Sequence, residues 1–145
     1  MTKTHFENLK VYQLSEKLSD EIWALIRSWP AFDKNTIGSQ IVRSADSIGA
    51  NLAEGSGRGS DADYKRFIRM SRGSLYETRH WLRRAFRRGL LTQAHIECLT
   101  PINEELRPSL NAFLKSIGTF RREHGPVAKD QKPKAKNQKP VYVAA

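Results

Sequence analysis

Residues 40–68 read QIVRSADSIGANLAEGSGRGSDADYKRFI, and the spacing within this stretch decides the fold. Together with Ile37 just before it, Ile41, Ala45, Ile48 and Leu52 recur at intervals of three and four. That period lays one apolar stripe along a helix. A second stripe, Gln40, Arg43, Ser47, Asn51 and Glu54, runs beside it within an arc of ~80°. The remaining face is mostly small: Gly38, Val42, Gly49, Ala50 and Ala53. Arg43 and Asp46 are the only charges from Thr36 to Ala53. A water-facing helix normally carries charge along its outer side, so this one is expected to have neighbours on several sides, one of them from another subunit.

The corner GSGRGS ends that helix. Gly55, Gly57 and Gly59 tolerate left-handed backbone angles. Ser60 is suited to N-cap the next helix, with Asp63 at the third helical position to return a capping-box bond. Arg43 or Arg58 can pair with Glu54 or Asp63 across the corner.

The string Gln40-Ile41-x-Arg43-Ser44-Ala45-x-Ser47-Ile48-x-x-Asn51-Leu52-Ala53-Glu54-Gly55-x-Gly57-Arg58-x-Ser60, followed by Asp63-Tyr64-x-Arg66-Phe67-Ile68 and Gly73-Ser74-Leu75-x-Glu77, resembles a bacterial family of small four-helix-bundle proteins. That family includes the proteins encoded in intervening sequences of large-subunit ribosomal RNA genes. The accessory variability protein of diversity-generating retroelements looks like a more distant relative. The resemblance spans about residues 5–122. It implies a four-helix bundle assembled as a ring-like homopentamer, and a role in binding RNA or a nucleic-acid enzyme such as a reverse transcriptase. An arginine-rich third helix, prolines in the fourth and a lysine-rich tail depart from the family pattern.

Outward from the corner, the periodicity predicts four helices, at about 7–29, 35–54, 61–88 and 92–122, in an all-α, up-down-up-down bundle over 1–125. The first carries a core stripe of Val11, Leu14, Leu18, Ile22, Leu25 and Trp29, with Tyr12, Trp23 and Ile26 as a looser strip. Pro30 ends it, and Pro30–Asp33 forms the link. The third is expected to bury Tyr64, Phe67, Ile68, Ser71, Leu75, Leu82, Ala85 and Phe86. Gly73 and Ser74 lie mid-helix, where they weaken it relative to alanine, so close approach of a neighbouring helix is expected there. Gly89 is placed as its C-cap. Thr92 caps the fourth helix, whose stripe is Ile96, Leu99, Ile102, Leu106, Leu110, Phe113, Ile117 and Phe120. Pro101 and Pro108 fall inside it, leaving two alternatives: one bent helix, or a break at Thr100-Pro101. Residues 126–145, rich in lysine and proline, are expected to be a disordered basic tail.

Charge is distributed unevenly. The chain holds 25 Lys and Arg against 15 Asp and Glu, a net +10. The tail accounts for +4 of this, with five lysines and one aspartate. The segment Asp61–Arg88, with nine cations and three acids, accounts for the other +6. Polyanions are the natural partners of such a helix. No apolar run approaches the roughly 18 residues of a membrane span, the N-terminus lacks signal-peptide character, and Cys98 is a lone cysteine. A cytoplasmic location without membrane association is the expectation.

Within the third helix, Lys65, Arg69, Arg72, Arg79, Arg83 and Arg87 fall in an arc of ~80° on the side read as opposite the apolar one. Arg66, Arg84 and Arg88 flank it, Tyr76 lies inside it and His80 beside it. Guanidiniums offer bidentate contacts to phosphate, and an exposed tyrosine can stack on an unpaired base. The face is therefore read as a surface for structured RNA or RNA–DNA. An acidic protein partner, on a scaffold protein, and a plain solvated face are the alternatives.

The polar stripe Gln40, Arg43, Ser47, Asn51 and Glu54, with Arg58, Ser60 and Asp63 at the corner, is read as a structural device that sets bundle or oligomer register. It is not read as an active site. The glycine corner lacks the strand and the spacing of a phosphate loop. His95-x-x-Cys98 is one turn apart, but a second ligand pair is missing, and Cys98 is read instead as a small residue beside the core. No catalytic residue, metal or cofactor is assigned, and no enzymatic activity is expected.

Overall fold

The computed structural model describes residues 1–119, which form helices and no strand. A 3-10 turn, Phe6–Asn8, leads into α1, Lys10–Ile26. A helical turn, Ala31–Asp33, and a π-helical segment, Lys34–Gly38, run directly into α2, Ser39–Ser56. α3 spans Asp61–Arg87 and α4 spans Gln93–Ser116. Each helix packs against its neighbour in sequence, and α1 also meets α4. One core joins all four, with Leu18 and Ile22 of α1, Ile41 and Ile48 of α2, Leu75 of α3 and Leu106 and Leu110 of α4 fully enclosed. Each such side chain contributes about 1.5–3 kcal/mol on leaving water.

The stripe Ile37, Ile41, Ala45, Ile48 and Leu52 is buried throughout, as its period requires. Its helix starts earlier than the sequence suggests. Pro30, extended at ψ 150°, serves as the N-cap, so Ala31–Asp33 is helix and not link. The ladder then widens into the π segment at the point where Gly38 meets α1. A Cβ on Gly38 would lie 2.9 Å from Ile26 Cγ2 and 3.0 Å from the Asp33 carbonyl oxygen. α1 is shorter than expected. It ends at Ile26, and Trp29 is only partly buried.

The glycine corner works by contact, not by left-handed backbone. Gly57 has φ −84°, and only Gly89 and Gly118 take positive φ among the described glycines. At Gly55 a Cβ would stand 2.7 Å from Phe67 Cβ and 2.9 Å from Tyr64 Cδ2. Its absence lets the end of α2 and the start of α3 approach closely. Ser60 Oγ accepts from the Asp63 N–H at 3.1 Å. Asp63 turns its carboxylate to Arg66 Nε at 3.3 Å.

α3 ends as its sequence demands. Gly89, at φ 76°, donates to the Phe86 carbonyl, and Leu90 N–H donates to Ala85, both at 3.0 Å. This is a Schellman closure of the last turn. Thr92 then opens α4 with a capping box. Thr92 Oγ1 accepts from His95 N–H at 3.2 Å, while His95 Nδ1 accepts from Thr92 N–H at 3.1 Å. α4 runs unbroken through Pro101 and Pro108, both exposed, so the single-helix alternative holds. It stops at Ser116, short of the expected Arg122, because Gly118 turns left-handed at φ 82°. Phe120 and the tail 126–145 lie outside the described residues.

Three further expectations are corrected. At Gly73 a Cβ would meet nothing within 4 Å among the described residues, so no described helix approaches it. Phe86 is exposed, at 41%, because it falls off the buried arc. Cys98 is exposed and not tucked beside the core.

Candidate nucleic-acid interface

α3 positions the cationic side chains. Its buried side consists of Phe67, Ile68, Ser71, Leu75, Thr78, Leu82 and Ala85. At ~100° per residue this arc is not diametrically opposite the basic one. One edge of the basic arc instead meets α4. Arg72 Nη1 donates to Asn111 Oδ1 at 3.1 Å, and Arg79 Nη2 reaches Glu104 Oε1 at 3.3 Å. Both cations are thereby committed in part to the bundle.

A similar commitment holds at the corner. The guanidiniums of Arg58 and Arg66 both lie over the Phe67 ring, 4.9 and 4.8 Å from its centre. Arg58 is paired with Glu54 at 2.8 Å and Arg66 with Asp63 at 3.3 Å. Two cations thus shield the ring from water and hold the start of α3 against the end of α2.

The outward half of the arc is different. Tyr76, Arg79, His80, Arg83, Arg84 and Arg87 line an open cleft of about 530 Å³ along the second half of α3. Every lining residue comes from this one helix, so the cleft is a trough between long side chains on its surface. None of the lining residues is acidic, and among the described residues Arg83, Arg84 and Arg87 form no salt bridge. Tyr76 is 48% exposed. Lys65 and Arg69 lie further back on α3, the first half-buried and the second exposed. Arg88 falls on another side, near Gln40 and Trp81.

The polar stripe of α2 stays at the surface of the protomer. Gln40, Arg43 and Glu54 are exposed, Ser47 and Asn51 half-buried. Ser47 Oγ donates to the Arg43 carbonyl at 2.7 Å and Asn51 Nδ2 to the Ser47 carbonyl at 2.8 Å, both within α2. The cross-helix polar contacts between α2 and α3 come instead from Ser44, Ser71 and Thr78, all buried. Among the described residues no group of three His, Cys, Asp or Glu side chains gathers to hold a metal. No described helix is long and apolar enough to cross a membrane.

Sequence reasoning passed over the partners that α4 supplies, Glu104 and Asn111, and the buried Asn103. Asn103 carried a signal. It is a polar residue between Leu99, Ile102, Leu106 and Leu110 on the apolar stripe, where an amide needs a specific partner.

Residues 7–112 match the model of the 23S rRNA-intervening sequence protein family. The chain belongs to that family. A crystal structure of a protein of unknown function from the S23 ribosomal protein family of Bacteroides thetaiotaomicron is similar to it, at 26% identity and a TM-score of 0.65. The match covers 73% of this chain and 96% of that one. No curated protein matches the chain. Family membership fits the helix–corner–helix motif of residues 40–68, which falls wholly inside the matched span.

Proposed function

We propose that this protein is a non-enzymatic, homo-oligomeric nucleic-acid-binding protein of the cytoplasm that holds structured RNA or RNA–DNA on α3. The observation that carries the reading is the trough of Tyr76, Arg79, His80, Arg83, Arg84 and Arg87, in which Arg79 is held by Glu104 but Arg83, Arg84 and Arg87 form no salt bridge among the described residues. Guanidiniums without carboxylate partners favour phosphate, and an exposed ring among them offers a stacking face. The family's connection with ribosomal RNA intervening sequences gives RNA priority over DNA. Assembly as a ring of five would present five basic helices to one polyanion and raise affinity by multivalency. In that setting the protein serves as an accessory to ribosomal RNA processing, or to a reverse transcriptase or another nucleic-acid enzyme.

The test is fluorescence anisotropy with structured RNA at increasing salt. Binding should weaken linearly with log salt concentration. Joint replacement of Arg69, Arg83, Arg84 and Arg87 by Glu should abolish it with the helical signal unchanged. A salt slope near zero would overturn phosphate recognition. For assembly, Asn51→Leu should change the oligomer mass in light scattering without unfolding the protomer. An unchanged mass would remove the polar stripe from the interface.

A second reading has its own support. Trp23 and Phe32 are 58% and 78% exposed, and Trp23 borders a groove with Arg27 and Lys34. This favours a protein partner with acidic and apolar side chains, bound to a scaffold. Capture of that partner after nuclease treatment would support the scaffold; its loss would support nucleic acid as the bridge.

A further inference from the structure

Arg43 and Asp46 are the only charges on the long central part of α2. Both are exposed, and neither forms a salt bridge among the described residues. On a helix they point about 60° apart, and packing assigns them to two sides of the bundle. Asp46 accepts from Ser19 Oγ of α1, which puts it on the α1–α2 side. Arg43 stands on the stripe with Gln40, and Gln40 shares a hollow of about 370 Å³ with Trp81 and Arg88 of α3. Arg43 therefore belongs to the α2–α3 side.

The α1–α2 side is acidic. Glu16, Asp20 and Asp46 line a groove of about 330 Å³, with Gly49 and Ala50 in its α2 wall. No cation lines it, and none of the three acids forms a salt bridge among the described residues. Trp23 is exposed one turn beyond Asp20. The α2–α3 side has the opposite sign. Arg43 and Arg88 are exposed without a salt bridge among the described residues. The acids there are occupied: Glu54 pairs with Arg58, Asp63 pairs with Arg66, and Glu77 accepts from Trp81 Nε1 at 3.3 Å. Met70 is exposed on this side, and a Cβ at Gly73 would meet nothing within 4 Å. Methionine, aromatic residues and arginine are types enriched in protein interfaces.

Neither side complements itself, because like charges would meet across a two-fold axis. Each complements the other. We infer that copies of this chain pack side by side, the acidic α1–α2 side of one against the cationic α2–α3 side of the next. α2 then lies between two neighbours, which accounts for a helix so poor in charge. Such a contact is heterologous and closes into a ring when the turn between copies divides the circle evenly. The two sides adjoin along α2, so α2 stands on the inner wall. Arg83 and Arg87 lie across α3 from the Ser71–Thr78 seam with α2 and stay open to RNA. The inference rests on the homo-oligomer part of the reading above and names the surface that forms it.

The experiment is light scattering on the full chain, whose single-copy mass is 16.6 kDa. Glu16→Lys, Asp20→Lys and Asp46→Lys together make both sides cationic. Arg43→Glu and Arg88→Glu together make both sides acidic. Each variant should fall from the wild-type mass to that of one chain. Mixing the two should restore assembly, because every side then finds its opposite, and so should all five changes in one chain. Wild-type mass in either separate variant would overturn this surface and leave the homo-oligomer standing. Dissociation of both without recovery on mixing would also overturn it, and would turn attention to the lysines of 126–145 as the cations that meet the acidic side. A wild-type protein that is monomeric at every concentration would remove the oligomer and the surface together. If the charge variants lose their helical signal, Ala50→Trp, at an exposed position of the acidic groove, decides by bulk: a single-chain mass supports the contact and a wild-type mass sinks it.

Discussion

Ser71 Oγ donates to the Ile48 carbonyl at 2.7 Å across the seam between α2 and α3. One helical turn pair further along, Thr78 Oγ1 lies 3.0 Å from Ser44 Oγ, which itself donates to the Ile41 carbonyl at 3.0 Å. These small polar side chains let the two helices approach closely, and Ser71 fixes their register, since a slip along either helix would leave its buried hydroxyl unpaired. Ser71→Ala should therefore lower stability by about 1 kcal/mol. Ser71→Leu should lower it by about 1–3 kcal/mol, through overpacking of the seam. Urea denaturation measures both, and equal stability of Ser71→Leu and wild type would show that the seam is looser than this geometry.

Two glycines should respond in opposite directions to the same substitution. Gly55→Ala would place a methyl 2.7 Å from Phe67 Cβ, and a loss of about 1–3 kcal/mol is expected. Gly73→Ala meets nothing within 4 Å, and it should gain about 0.5–1 kcal/mol from the improved helix. Thermal melts of the two variants decide the matter. If Gly73→Ala instead weakens RNA binding or assembly, a partner backbone sits against that position.

Tyr64 supplies a pH dependence. Burial pushes its phenol above the ordinary range, and its ring packs edge-on against Phe113 at 5.5 Å. Because the folded value is raised, the neutral phenol is favoured in the native state. The associated stability is complete below the unfolded value of about 10 and is lost as pH rises through the folded value. Tyr12 is shifted the same way, by burial first and then by the charges of Glu16 and Glu7. Tyr64→Phe should flatten the decline in melting temperature above about pH 10, without abolishing it. An unchanged slope would mean that the phenol is as solvated in the folded chain as in the unfolded one.

The arginines of α3 should separate into two groups. Arg83→Gln removes a cation with no salt bridge among the described residues. It should reduce the salt slope of RNA binding by about one unit and leave stability within about 0.5 kcal/mol of wild type. Arg72→Gln removes the donor to Asn111 at 3.1 Å. It should chiefly lower stability, by about 1 kcal/mol, with little effect on the salt slope. Isothermal binding at several salt concentrations, beside denaturation curves, distinguishes them.

The helices were legible because an apolar residue every three or four positions can be buried only by a helix. The stripe Ile37–Leu52, the Ser60 and Thr92 caps and the Gly89 terminus all rest on such local rules. The corner was misread for a physical reason. Glycine is chosen either for positive φ or for close contact, and the letters GSGRGS are the same in both cases. At Gly55 the deciding atoms, Phe67 Cβ and Tyr64 Cδ2, come from the following helix. The basic face was similarly legible as a set of charges, but not as a set of free charges. Arg72 and Arg79 are engaged by Asn111 and Glu104, residues 39 and 25 positions further along.

The amino-acid sequence by itself determined four helices, their caps, a buried stripe on each, and a concentration of positive charge on the third, because all of these follow from the chemistry of residues within a few turns of one another. Only the tertiary structure decided which cations keep no salt-bridge partner among the described residues, which glycine is a contact glycine, and that Asn103 is buried with an unanswered acceptor among those residues. Those properties depend on distances between helices, and no local period encodes a distance to a residue dozens of positions away.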